Sequence, residues 1–182
     1  MPLLSRRSFT RTFAIAATAS LLAASSAQSQ SINPFAKFSG NWVGNGEIYL
    51  SNNTKERIRC RGPFTASDGP NVTNLKLELT CAGDSYSFRL QSDINSSNGV
   101  LSGTWSELTR GFNGKISGTI KDDKIQAVAE GQTFTATLTL VNLGDKQQIV
   151  IASPGSEMTD VLIGLIRAGT RAQSAPQSSQ NQ

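Results

Sequence analysis

Glu56 to Arg61 reads ERIRCR. On an extended chain Arg57, Arg59 and Arg61 project from one face, and Ile58 and Cys60 from the other. Three guanidinium groups roughly 7 Å apart along a strand form a candidate surface for an anion or an acidic partner protein. The same pattern describes a solvated outer face, balanced across neighbouring strands by Glu47 or Glu78. That second outcome is the commoner one for exposed charge.

Other reactive side chains are sparse. The sequence contains no His. This excludes Ser-His-Asp and Cys-His nucleophile systems, His-based metal sites and the usual general base at neutral pH. Asp122-Asp123 is the adjacent carboxylate pair, and its expected role is a solvated turn. Glu47, Glu78, Glu107 and Glu130 are single charges on strand faces or ends. A hydrolase built on two of them would need a convergence that the sequence does not show. Glycine-rich stretches follow no phosphate-loop spacing. The expectation is a protein that is not an enzyme, with no catalytic residue, cofactor or metal site.

Cys60 and Cys81 are the two cysteines of the chain. Each falls on the apolar face of an alternating run, so neighbouring strands would bring both sulfurs into the core. In an oxidising compartment a structural disulfide is the expected state. It would contribute on the order of 3 kcal/mol by restricting the unfolded chain. A CxxC redox pair is absent, and two thiolates without His do not close a zinc site.

Trp42, Tyr86, Phe88 and Trp105, with Phe64 and Phe134, fall mostly on inferred inward faces. The first four are candidate ligand-binding residues, because pockets are mainly apolar with a few polar groups. A barrel of about eight strands either fills its interior with side chains or holds one small ligand. The sequence leaves both open.

These residues sit on elements of period two. Leu75, Leu77, Leu79 and Cys81 alternate with Lys76, Glu78 and Thr80. Tyr86, Phe88 and Leu90 alternate with Ser87 and Arg89, and Phe134 to Leu140 repeats the pattern. Half-buried antiparallel strands have this signature. Turn chemistry separates them at Ser51–Thr54, Ser67–Asn71, Asn95–Gly99, Phe112–Gly114, Lys121–Asp123, Leu143–Asp145 and Ser153–Ser156. The expected fold is all-β: a single antiparallel up-and-down barrel of about 8 to 10 strands. Thr159 to Arg167 reads as a last strand, or as a short amphipathic helix. Its branched residues and Gly164 favour the strand, which could pair with the first and remove the exposed edges.

A near-repeat supports curvature. NGVLSGTW at Asn98–Trp105 is echoed by NGKISGTI at Asn113–Ile120. Gly103 shares a face with Leu101 and Trp105, and Gly118 with Ile116 and Ile120. A missing side chain between two large ones lets a strand coil inward.

The ends of the chain read differently. Residues 1–27 combine Arg6, Arg7 and Arg11 with an Ala-rich apolar stretch and small residues before a cleavage position near Ala27. That is a secretory signal, and Ser5-Arg6-Arg7-Ser8-Phe9 resembles the twin-arginine type, with an ordinary Sec signal as the alternative. Three of the 17 Lys+Arg residues and none of the 13 acids lie there, which leaves 14 basic against 13 acidic residues, a net +1. Such a surface lacks the basic footprint of a nucleic-acid binder. Residues 28–33 read as a flexible arm, 34–167 as the barrel domain, and 168–182, rich in Gln, Ser and Ala, as a disordered tail.

Phe38-Ser39-Gly40-Asn41-Trp42 resembles the GxW signature that opens lipocalin-like, or calycin, barrels. The resemblance implies that Trp42 closes one barrel end and that Arg167, on the last strand, packs on it. The order of GxWxGxG, an Arg-rich strand with one Cys and a Leu-rich strand with the other is also similar to small exported Gram-negative β proteins. Periplasmic protease inhibitors of the lipocalin-like type likewise combine GxW with one disulfide. The expected protein is a periplasmic or secreted monomer without a transmembrane span. It binds a small apolar or amphipathic ligand, or acts as an envelope interaction or inhibitor module through its surface.

Overall fold

The computed structural model describes residues 33–70 and 72–169. The export segment at 1–27, nearly all of the arm and most of the tail lie outside the described residues.

Ten strands form the barrel: β1 (Gly40–Leu50), β2 (Lys55–Asp68), β3 (Thr73–Ala82), β4 (Ser87–Ser97), β5 (Val100–Glu107), β6 (Phe112–Lys121), β7 (Lys124–Gly131), β8 (Thr135–Asn142), β9 (Lys146–Ala152) and β10 (Met158–Arg167). Each pairs antiparallel with the next, and β10 pairs with β1, so the sheet closes. Thr159 to Arg167 is thus the strand that the sequence favoured. Closure leaves no unpaired edge.

Alternation determines the core. Leu75, Leu77, Leu79 and Cys81 are all buried while their neighbours Lys76, Glu78 and Thr80 are exposed. Cys60 faces Cys81 directly in the β2–β3 register and is disulfide-bonded to it. A Cβ added at Gly103 would lie 2.1 Å from the Asp93 carbonyl oxygen, and at Gly118 2.1 Å from that of Gln126. The repeated SGT is where adjacent strands press together as the sheet curls.

One turn expectation is corrected. Phe112–Gly114 is not a turn but the start of β6. The chain reverses at Leu108–Gly111, where Gly111 takes a φ of 76°. Asn113 and Gly114 stay extended because they pair with Ser106 and Trp105 of β5, and Gly114 also pairs with Gly131 of β7. In Asn98-Gly99, by contrast, both residues have positive φ and form the tight β4–β5 connection.

One end of the barrel also carries a plug that no strand period announces. Ala36–Phe38 forms a short 3-10 helix, and Phe35 and Phe38 are fully buried in the barrel core. Its carbonyls are satisfied from the barrel. Asn142 Nδ2 donates to Lys37 O at 2.7 Å, and Trp42 Nε1 and Gln147 Nε2 donate to Phe38 O at 2.9 and 3.2 Å. This end is sealed. The loops 51–54, 83–86, 108–111, 132–134 and 153–157 gather at the other end and form a mouth.

Candidate ligand cavity

Side-chain volume is distributed unevenly around the barrel. On β2 and β3 the interior is filled by Ile58, Phe64, Leu75, Leu77 and Leu79. On β7 and β8 the inward positions include Ala129 and Ala136, which face each other directly in register. Small residues there leave a cavity of about 430 Å³ at the mouth. Its walls are mostly apolar, with Phe88 and Leu90 from β4, Trp105 from β5, Ile116 from β6 and Val161 from β10.

An aromatic series lines one side. The Trp105 and Phe134 ring centres are 5.7 Å apart, and Phe134 and Phe112 meet edge to face at 5.6 Å. Phe112 is 40% exposed at the rim and Leu108 44%, so apolar surface continues from the interior to solvent. Phe112 escapes sequence reasoning because the Asn-Gly after it reads as a turn.

The polar groups concentrate at the mouth. Glu107 ends β5 and is only 7% exposed. Its Oε1 accepts the N–H groups of Arg89 and Thr109 at 3.1 and 2.8 Å, and its Oε2 accepts that of Arg110 at 2.8 Å. Burial pushes this carboxyl towards its neutral form, but the three amide donors outweigh burial and hold its pKa below the ordinary value. Arg110 stacks 5.8 Å from the Tyr86 ring centre, donates to Ser87 O at 3.1 Å and lies 3.8 Å from Glu107 Oε2. The Tyr86 hydroxyl donates to Glu157, and this bond is the main reason its pKa is raised. Ser153 lines the cavity, and its buried hydroxyl has no hydrogen-bond partner among the described residues.

The four aromatic candidates therefore separate. Phe88 and Trp105 line the cavity. Tyr86 is half-buried one contact behind the wall, against Arg110 and Glu157. Trp42 does not line it, because the plug and Phe64 enclose its ring at the sealed end, 1% exposed. There the Arg167 guanidinium lies over it at 4.5 Å. Arg57, Arg59 and Arg61 stand exposed on the outer face of β2, with Arg57 opposite Glu47. Asp122 and Asp123 form the β6–β7 turn, and Asp123 pairs with Lys37 at 2.7 Å. Among the described residues no group of three or more His, Cys, Asp or Glu is placed to hold a metal ion.

The fold and its open-ended cavity define a lipocalin-like antiparallel β-barrel. Neither a family model nor a curated protein matches the chain. Among solved structures the chain is similar to the S-type phycobiliprotein lyase of Guillardia theta. The TM-score is 0.52, and the match covers 73% of this chain and 89% of the other at 10% identity. A likeness at that identity speaks for the fold.

Proposed function

We propose that this chain is a non-enzymatic, exported barrel protein that holds a small apolar or amphipathic ligand in the bacterial envelope. The observation that carries this reading is the cavity of about 430 Å³, apolar-walled and reached through a mouth where Phe112 stands beside Glu107, Arg110 and Glu157. Ligand sites commonly occupy roughly 300–1,000 Å³ with this kind of lining. The occupied lone pairs of Glu107 support a binding rather than a catalytic role, because a carboxylate that braces three amides is a poor proton carrier. The disulfide and the N-terminal export signature support an oxidising compartment. Closure of the sheet supports a monomer.

The test is native mass spectrometry of protein purified from its own host, with Ala129→Phe as the blocked variant. A co-purifying mass, or uptake of the neutral probe Nile red, is expected for the parent and not for the variant. No mass and no uptake in the parent would overturn the reading.

A further inference from the structure

The rim of the cavity carries a side-chain bridge that barrel closure does not require. Strand order separates loop 108–111 from loop 153–157: loop 132–134 lies between them on one side, and loops 83–86 and 51–54 on the other. Arg110 of the first loop and Glu157 of the second both line the cavity. Tyr86, from loop 83–86, touches both. Its ring centre lies 5.8 Å from the Arg110 guanidinium, and its hydroxyl donates to Glu157. Arg110, Tyr86 and Glu157 thus link loops that are not all neighbours, and all three residues lie outside the strands.

The main chain of each loop is fastened to its own side of the rim. The Ser85 and Tyr86 N–H groups donate to Glu56, the Arg110 N–H donates to Glu107, and the Ser51 N–H donates to Glu157 O at 2.9 Å. Joining loop 83–86 to loop 153–157 is left to one side-chain hydrogen bond. Glu157 is exposed, so water competes for that bond. Phe112, at the rim by loop 108–111, pairs with Glu107 in the β5–β6 ladder and is held there. The bridge is therefore the part of the rim that can part while the strands stay paired.

We propose that the bond from the Tyr86 hydroxyl to Glu157 is a latch on the mouth, which opens for a ligand to enter or leave and sets the rate of exchange rather than the affinity. The latch rests on the ligand-binding reading of the cavity. The experiment follows Nile red binding and release by stopped flow in the parent, Tyr86→Phe, Glu157→Ala and the double variant, with melting curves to verify folding. Acrylamide quenching of Trp105, which lines the cavity, reports opening of the mouth without any ligand. Trp42, 1% exposed at the sealed end, adds a constant background.

Tyr86→Phe keeps the ring beside Arg110 and removes only the hydroxyl. Its association and dissociation rates are each expected to rise about 3- to 10-fold, with Kd within about 2-fold of the parent. Glu157→Ala is expected to speed exchange by a similar factor, and the double variant no further, because both remove one bond. Quenching of Trp105 is expected to rise in the same variants. Unchanged rates in Tyr86→Phe, a change in only one of the two rates, or additive effects in the double variant would each overturn the latch. Failure of the parent to take up Nile red would overturn the ligand-binding reading, and unchanged Trp105 quenching in Tyr86→Phe would then overturn the latch as well.

Discussion

The Arg167 guanidinium lies 4.5 Å from the Trp42 ring centre, and the two residues are direct register partners across β10 and β1. One belongs to the first strand and one to the last, so their contact fastens the seam of the barrel at its sealed end. Arg167 Nη1 also donates to Ser39 O at 2.7 Å, and Nε to Asp145 Oδ1 at 3.3 Å. A planar group that stacks and donates in two directions is not replaced by an ammonium. Arg167→Lys should therefore lose most of what Arg167→Ala loses, about 1–2 kcal/mol in urea unfolding. Nile red uptake at the far mouth should not change. A lysine variant as stable as the parent would contradict this.

The disulfide joins residues 21 apart across a hairpin. Both sulfurs lie inside the barrel, and their strands are already paired along their length. Cys60→Ser with Cys81→Ser should lower stability by on the order of 3 kcal/mol in the loop-entropy account. The far-ultraviolet circular dichroism of the sheet should persist. Loss of all sheet signal at low temperature would mean that the bond is needed to form the barrel, not merely to stabilise it.

Two strand glycines should respond in opposite ways to a methyl group. At Gly114 a Cβ would meet the Glu130 carbonyl oxygen at 1.8 Å and Trp105 Nε1 at 3.0 Å. At Gly164, on the outer face of β10, nothing among the described residues lies within 4 Å of such a Cβ. Gly114→Ala should cost about 1–3 kcal/mol and shift the Trp105 emission, as overpacked sites do. Gly164→Ala should be neutral or stabilise by up to about 1 kcal/mol. Thermal melts of the two variants, measured together, test the assignment of inward and outward faces.

These contrasts indicate which features a sequence carries. Strand identity and facing are local, since Leu75 to Cys81 announce their burial by alternation alone. The curl is nearly local, because SGT places a glycine between two large residues on one face. The cavity is not local. It results from Ala129 on β7 facing Ala136 on β8 while aromatics gather across the interior, and no single run reveals that sum. The plug is hidden for another reason. Asn33-Pro34-Phe35-Ala36-Lys37-Phe38 has no period of two, and its burial depends on Asn142 and Gln147, more than 100 residues away in the chain. Glu107 reads as an ordinary strand-end charge because its donors come partly from Arg89 on another strand.

The bracing role of Glu107 predicts an acid-sensitive mouth. Its folded pKa is depressed, so its ionised form contributes stability that is fully present above the unfolded value. That contribution is lost as pH falls through the lower folded value. Glu56, near the start of β2, braces loop 83–86 in the same way: its Oε1 accepts the N–H groups of Ser85 and Tyr86 at 2.8 and 3.0 Å, and these bonds lower its pKa. Acidification from pH 6 to about pH 3 should therefore loosen loops 83–86 and 108–111 before it unfolds the strands. Hydrogen exchange should rise at the amides of Thr109 and Arg110 while those of β2 and β3 stay protected. Glu107→Gln keeps one acceptor oxygen but turns an N–H donor toward the Arg110 amide, which should cost about 2 kcal/mol at pH 7. The same variant should flatten the acid limb of the melting temperature against pH. An unaltered acid limb in Glu107→Gln would show that another carboxylate governs the transition.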